Sequence, residues 1–340
     1  MIGIRVVVVG ATGAVGRQVL RILEDRRFPA ASVRAVASPR SRGVRVGPHT
    51  VDVLSPGSFD DTDLAIFDTP DDVAATWVPV AASRGAMVID NSAAFRMDPD
   101  VPLVIPEVNP DALHRTPRRI VANPNCTAAA IAVPLAPLHR EAGLRRLVAC
   151  SYQSVSGAGQ AGIEQLWAEV RESASSGRPA PEPRGRAFPH PIAMNIIPAI
   201  GSLQGTDTSE EAKIGAELRK MLAAPDLAAG VTCVRVPTLS AHGVAVHAEF
   251  ARPLGPERAR ALLTAAEGVE VVDDLPASRY PTALLASGRD PCYVGRIRTD
   301  GAGTLAFFAV ADNLRKGAAL NAVQIAEVLL RDGLLSAART

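Results

Sequence analysis

The stretch from Ile4 to Gly16 limits what this chain can fold into more than any other. Ile4–Val9 is a nearly unbroken β-branched run, the pattern of a strand covered on both faces of a parallel sheet. Gly10, Gly13 and Gly16 follow at GxxGxxG spacing. A helical period then puts Val19, Leu20, Ile22 and Leu23 on one face. Strand, glycine turn and helix in this order form the setting in which a dinucleotide is held, because glycines let the backbone approach a pyrophosphate resting on the helix N-terminus. The backbone of Gly10, Thr12, Gly13, Ala14, Val15 and Gly16 is the expected contact surface; a structural glycine turn is the plain alternative.

The next strand, Ser32–Ala37, runs into Ser38, Arg40, Ser41 and Arg42. An NAD site usually ends this strand with an acid that holds the ribose 2′-OH. Here the acid is missing and two arginines stand instead, which suits the 2′-phosphate of NADP(H). Further alternation follows: Leu64–Phe67, a helix near Asp72–Ser83, and Ala86–Asp90. Such alternation predicts an α/β domain on a doubly wound parallel sheet. The segment after Asp90 leaves the carboxyl end of its strand, where ligands of open sheets bind. Arg96 within it reads either as an anion clamp or as a surface arginine.

Ile120–Ala130 carries the second strong signal. An extended piece stops before Pro124, and an alanine-rich helix starts at Thr127. Cys126 is thereby placed at a helix N-terminus, where the dipole favours a thiolate. A cysteine packed as a small hydrophobe is the other reading. Beyond it the pattern turns strand-rich: Leu147–Gln153, Val231–Val236, Gly243–Phe250, Tyr293–Ile297 and Thr304–Val310. A helix from Gln160 to about Glu172, a helix Glu210–Leu222 capped by Thr208 or Ser209, and an apolar-faced helix Gly317–Leu330 are expected among them. Ser173–Arg186, rich in Ser, Pro, Gly and Arg, reads as an exposed loop. This second region is expected to be an α+β domain on a mixed sheet.

Composition narrows the partners. With 340 residues, two domains are expected. A net charge of +1 speaks against nucleic acid, and no apolar run reaches the ~20 residues of a membrane span. No signal peptide is read at the N-terminus. The four cysteines, at 126, 150, 233 and 292, form no CxxC pair, so a cytoplasmic protein without a metal site is expected.

Gly10–Gly16, Asn125 with Cys126, Tyr152 with Gln153, and Arg235 with His242, joined by Ile89–Asp100, Val104–Pro110 and Ala311–Asn321, identify the chain as resembling the aspartate-semialdehyde dehydrogenase family over nearly its whole length. The resemblance implies a Rossmann-like N-terminal domain, 1–126, completed by a C-terminal helix, 315–340. It implies a catalytic and dimerisation domain, 127–314, and a homodimer. It implies NADPH-dependent conversion of L-aspartyl 4-phosphate to L-aspartate 4-semialdehyde and phosphate, on the way to lysine, threonine and methionine. Carried across, Cys126 is the nucleophile, Gln153 orients the intermediate and His242 is the acid/base. Arg235 would hold the substrate carboxylate and Glu210 its amino group, while Arg96, Asn125 and Lys213 would hold the phosphate. Ser156, Gly157 and Asn313 join the cofactor contacts.

The chain departs from the family's usual residues at Thr127 and Ala128, at Ala241 and Gly243 around the histidine, and at Thr69–Asp72, where two carboxylates replace a glycine-rich cofactor loop. A reductase for N-acetyl-glutamyl phosphate or malonyl-CoA, and a non-catalytic paralogue, are the competing readings. Glu210 discriminates the first, since a free amino group needs a carboxylate partner and an acylated one does not.

Overall fold

The computed structural model describes residues 3–335; residues 336–340 of the expected C-terminal segment lie outside the described residues. The chain divides into two compact units, Met1–Asn125 with Ala318–Thr340, and Cys126–Gly317.

The first unit runs β1 (Ile4–Val9), α1 (Ala14–Asp25), β2 (Ala30–Ala37), β3 (Arg45–Val46), β4 (His49–Val53), β5 (Leu64–Phe67), α2 (Asp71–Ser83), β6 (Met87–Asp90) and β7 (Ile120–Ala122). Among the described residues its sheet is ordered β3-β4-β2-β1-β5-β6-β7. All pairings are parallel except the β3–β4 hairpin at the edge. β1 lies between β2 and β5, so the strand order reverses there and leaves a crevice beyond its carboxyl end. Val6 and Val8 of β1, Val19 and Ile22 of α1, and Val323 and Ile325 of the C-terminal helix Leu320–Arg331 share one buried cluster.

That helix starts later than the pattern suggested. Arg315–Ala319 is a wider, π-helical turn. The Gly317 N–H reaches back five residues to the Asp312 carbonyl (3.1 Å), and the Leu314 and Arg315 N–H groups bond the Asp312 carboxylate (2.8 and 3.2 Å). Such bulges recur at functional sites.

The second unit runs α3 (Cys126–Ala142), β8 (Leu144–Gln153), α4 (Gly159–Ser176), β9 (Leu203–Gln204), β10 (Asp207–Thr208), α5 (Ser209–Met221), β11 (Ala228–Arg235), β12 (His242–Phe250), α6 (Pro256–Thr264), β13 (Val269–Val271), α7 (Ala283–Ala286), β14 (Cys292–Thr299) and β15 (Leu305–Ala311). Its mixed sheet is ordered β11-β8-β12-β15-β14-β13. The start of α5 is a capping box: Thr208 Oγ1 accepts the Glu211 N–H (3.4 Å), and the Glu211 carboxylate accepts the Thr208 N–H (2.7 Å).

The expected exposed loop Ser173–Arg186 is corrected in two respects. α4 continues to Ser176, with Ser173 buried, and Ala180 is buried as well. The segment beyond it is a strap pinned from underneath by a fully buried carboxylate. Glu169 Oε1 accepts from Gln165 Nε2 (2.9 Å) and the Arg184 N–H (3.1 Å), and Oε2 from the Ile192 and Ala193 N–H groups (2.6 and 2.9 Å). Gln165 Oε1 in turn takes the N–H groups of Ala187 and Phe188 (3.0 and 3.3 Å). Glu169→Ala strands these donors, and stability should fall by about 3–4 kcal/mol, read as a lower urea midpoint. No helix among the described residues is long and apolar enough to cross a membrane.

Candidate active site

Sheet topology gathers the chemistry of the second unit at one end. β8 and β11 run parallel and finish side by side at Gln153 and Arg235, which are paired in register. β12, antiparallel to β8, begins there with His242, and β15 returns to Ala311 opposite it. Asn313 lies just past that end. Its Oδ1 accepts from Ser154 Oγ (3.1 Å), Ser156 Oγ (3.1 Å) and the Ala241 N–H (3.0 Å), so it ties three loops together.

His242 is fully buried, yet its Nε2 has no hydrogen-bond partner. Nδ1 accepts the Ser154 backbone N–H at 3.1 Å. A backbone N–H can only donate, so the neutral ring carries its proton on Nε2. Arg235 donates through Nη1 to the Ser154 carbonyl (2.7 Å), and its guanidinium lies 5.7 Å from the centre of the Phe188 ring. Gly157 packs against both, and no side chain fits there: a Cβ would sit 2.6 Å from Arg235 Nη1 and 3.3 Å from His242 Nε2. The bare Cα of Gly157 therefore lets a guanidinium and an unpartnered N–H pack side by side against the same turn.

Cys126 opens α3 and is half-buried, and a Cβ on Gly317 would lie 2.7 Å from its own Cβ. The π-helical turn thus closes against the thiol-bearing residue with nothing but hydrogen to spare. Burial lowers the Arg235 pKa, while charge on Cys126 and on Glu210 works in the opposite direction, which puts both within electrostatic reach of the guanidinium. The buried Cys233 is a different case; burial pushes its thiol up to about 12. Gln153, 1% exposed, donates to Ser151 Oγ (3.2 Å) and Glu210 Oε1 (3.4 Å). Lys213 is half-buried one turn further along α5. Among the expected site residues, this end of the second unit collects Cys126, Gln153, Ser156, Gly157, Glu210, Arg235, His242 and Asn313.

One of the departures has a visible cause and another a visible cost. Gly243 clears the Phe308 ring, whose Cζ would be 2.8 Å from a Cβ at that position. Ala241 adopts φ +68°, a left-handed backbone that glycine takes at less cost. Of the residues expected at the cofactor, Ser156 and Asn313 are buried, and the Asn313 amide is spent within its own network, Nδ2 donating back to Ser156 Oγ (3.0 Å).

The first unit presents the glycine turn at the carboxyl end of β1. Gly10 adopts φ +85°, and a Cβ on it would lie 1.9 Å from the Asp68 carbonyl oxygen, so only glycine fits. Gly13 at the mouth is exposed. The second loop folds against it, with Thr12 Oγ1 and Ser41 Oγ 3.0 Å apart, and Ser38 and Arg40 exposed beside them. Arg96 is buried; its Nε donates to the Asn123 carbonyl (2.9 Å) and Nη2 to the Asn91 carbonyl (2.7 Å). Asn125, also buried, closes the first unit. The Asp71 carboxylate accepts the Ala93 N–H (2.8 Å), and Asp71 and Asp72 are exposed.

Sequence reasoning missed Asp68, whose Oδ2 accepts the Gly16 N–H at 3.1 Å. It missed Phe188 as well. An acid ending a β-strand is the one signal that pointed to Asp68; nothing local marks Phe188.

His242 is held down to about 3, by burial and then by the charge of Arg235. In the unfolded chain the ring titrates at its ordinary 6.5. Between those values the unfolded chain binds a proton that the native ring refuses. Its contribution is full above pH 6.5 and is lost as pH falls, by up to about 1.4 kcal/mol per pH unit. His242→Gln should flatten this part of the urea midpoint plotted against pH.

The family models described as semialdehyde dehydrogenase, NAD binding domain, and semialdehyde dehydrogenase, dimerisation domain, match residues 5–116 and 135–316. Aspartate-semialdehyde dehydrogenase of Streptomyces akiyoshiensis is 44% identical over 337 residues, covering 96% of this chain and 98% of that one. The enzyme of the same name from Mycolicibacterium smegmatis is 45% identical over 351 residues, with 96% and 98% covered. The crystal structure of aspartate semialdehyde dehydrogenase II from Vibrio cholerae complexed with ASA is 39% identical, with a TM-score of 0.91 over 97% of this chain and 99% of that chain. Taken with the glycine turn of the first unit and the converging side chains of the second, these likenesses show that the chain belongs to the aspartate-semialdehyde dehydrogenase family.

Proposed function

We propose that the protein reduces L-aspartyl 4-phosphate to L-aspartate 4-semialdehyde, releasing phosphate, with NADPH as the reductant. The observation that carries this reading is the meeting of Arg235 and the unpartnered His242 Nε2 at Gly157, with Cys126 in electrostatic reach of the guanidinium. The glycine turn fits a pyrophosphate, since the exposed Gly13 leaves the head of α1 without a capping side chain and the helix has no acid in its first turn. Gly10, Thr12, Gly13, Ala14, Val15 and Gly16 would hold the diphosphate, and Ser38, Arg40 and Ser41 the 2′-phosphate. When bound, the dihydronicotinamide supplies the hydride.

The chain's own residues divide the rest. The Cys126 thiolate, favoured at the start of α3 by the helix dipole, attacks the acyl carbon; phosphate leaves and a thioester remains. Arg235 holds the substrate carboxylate with the part of its fork not used by Ser154, and Glu210 takes the amino group. Arg96, Asn125 and Lys213 hold the phosphate. Gln153 orients the carbonyl. His242, the expected acid/base, offers its Nε2–H as a hydrogen bond to the oxygen on which negative charge develops, and keeps that proton. After reduction, the carbon–sulfur bond breaks and the thiolate returns.

A homodimer built through the second unit, whose family model carries that name, fits the half-exposed Val148 and Tyr152 on one face of its sheet. No disulfide joins any of the four cysteines, which supports a cytoplasmic setting. The test is phosphate-dependent reduction of NADP by aspartate semialdehyde, with NAD and N-acetyl-glutamate semialdehyde as comparators. Turnover preferring aspartate semialdehyde and NADP supports the reading; preference for the acylated aldehyde overturns it.

A further inference from the structure

We propose that Asp68 sets how tightly the glycine cradle takes its dinucleotide: the carboxylate occupies the Gly16 N–H at the head of α1 and opposes the pyrophosphate that would rest there. This rests on the cofactor reading given above. Asp68 directly follows β5, the neighbour of β1, and its backbone carbonyl lies against Gly10. Its Oδ2 accepts the Gly16 N–H (3.1 Å) and would be 3.3 Å from a Cβ on the exposed Gly13. α1 has no acidic residue in its first turn, and its N-cap Gly13 has no side chain to offer. The acceptor that caps α1 therefore comes from another strand and stands at the floor of the phosphate site. A fixed anion there replaces one that the ligand would bring.

The surroundings do not neutralise it. From the end of β6 come Asp90, which repels it, and Asn91, whose side chain faces it and favours its charged form. Asp90 is itself engaged by Ser92 and faces the charge of Arg96. From α2 come Asp71 and Asp72, and α1 offers Arg17, whose Nε is bonded to the Thr12 carbonyl (3.0 Å). Arg40 and Arg42 lie on the second loop. Among the described residues no cation forms an ion pair with Asp68. Burial first, and Asp90 with it, push its carboxyl up to about 6. Near that pH both protonation states are populated, and the neutral one leaves the cradle open to an anion.

The test is calorimetric titration of the full-length protein with NADPH and with NADH, at pH 5.5 to 8, in buffers of different ionisation enthalpy. NADH is included because a phosphate monoester such as the 2′-phosphate itself titrates near pH 6. Asp68→Asn and Asp68→Ser should bind both ligands roughly tenfold more tightly than the native chain at pH 8, with the gap closing at pH 5.5. The native chain should take up a fraction of a proton on binding NADH near pH 7, and the variants should not. Equal affinities at pH 8, weaker binding by the variants, or no proton uptake by the native chain would each overturn the proposal. The last needs no variant to fold. Binding of neither dinucleotide by native chain or variants would overturn the cofactor reading and this one with it.

Discussion

Cys126→Ser should fold as the native chain does and lose at least about 10⁴-fold in turnover. The exchange keeps the shape of the side chain, and with it the close contact under Gly317. What changes is the nucleophile. An alcohol is a far weaker attacking group than a thiol at neutral pH, and the ester it would form accepts hydride less readily than a thioester. The phosphate-dependent reverse assay measures the loss, and a thermal melt checks that the fold is kept. A serine enzyme within tenfold of the native rate would contradict the covalent route.

Arg235→Lys should lower kcat/KM for aspartate semialdehyde by about 10²–10³-fold, or about 3–4 kcal/mol, with most of it in KM. The guanidinium already spends Nη1 on the Ser154 carbonyl and lies over the Phe188 ring. A lysine ammonium can satisfy one of these demands but cannot also present a planar pair of donors to a carboxylate. It brings a point charge into a buried place shaped for a flat one. Initial rates across substrate concentration separate the two constants. A loss confined to kcat would assign Arg235 to the chemical step instead of to binding.

The parts of this molecule that read well from its sequence are those whose signal is local. Ile4–Val9, the glycines after it and the face of α1 are all contained in one βα turn. Thr208 caps α5 through a residue three positions away. Cys126 opens α3 because the proline before it ends the extended segment. Elsewhere the deciding partner is distant. Asp68 matters only because β5 pairs with β1, 52 residues from the Gly16 N–H it holds. The turn at Arg315–Ala319 has good helix formers on both sides of Gly317, and widens because the Asp312 carbonyl captures the Gly317 N–H. The β3–β4 hairpin did leave a mark, since Gly47 and Pro48 form a turn pair, but strands this short carry little periodicity. Of the site, residue types were legible in the sequence, whereas the tautomer of His242 and the ring over Arg235 follow from long-range hydrogen bonds.

The buried anchor at Glu169 has a consequence for how this sequence can vary. Its carboxylate counts residues: one oxygen is bonded at 184 and the other at 192 and 193, with Phe188 carried in the interval. The exposed Arg186, Pro189 and His190 are interchangeable for that purpose. Length is not. A single deletion inside the interval would shift the aromatic ring off the guanidinium by a residue, so lineages descending from this chain should exchange letters there freely while keeping the spacing.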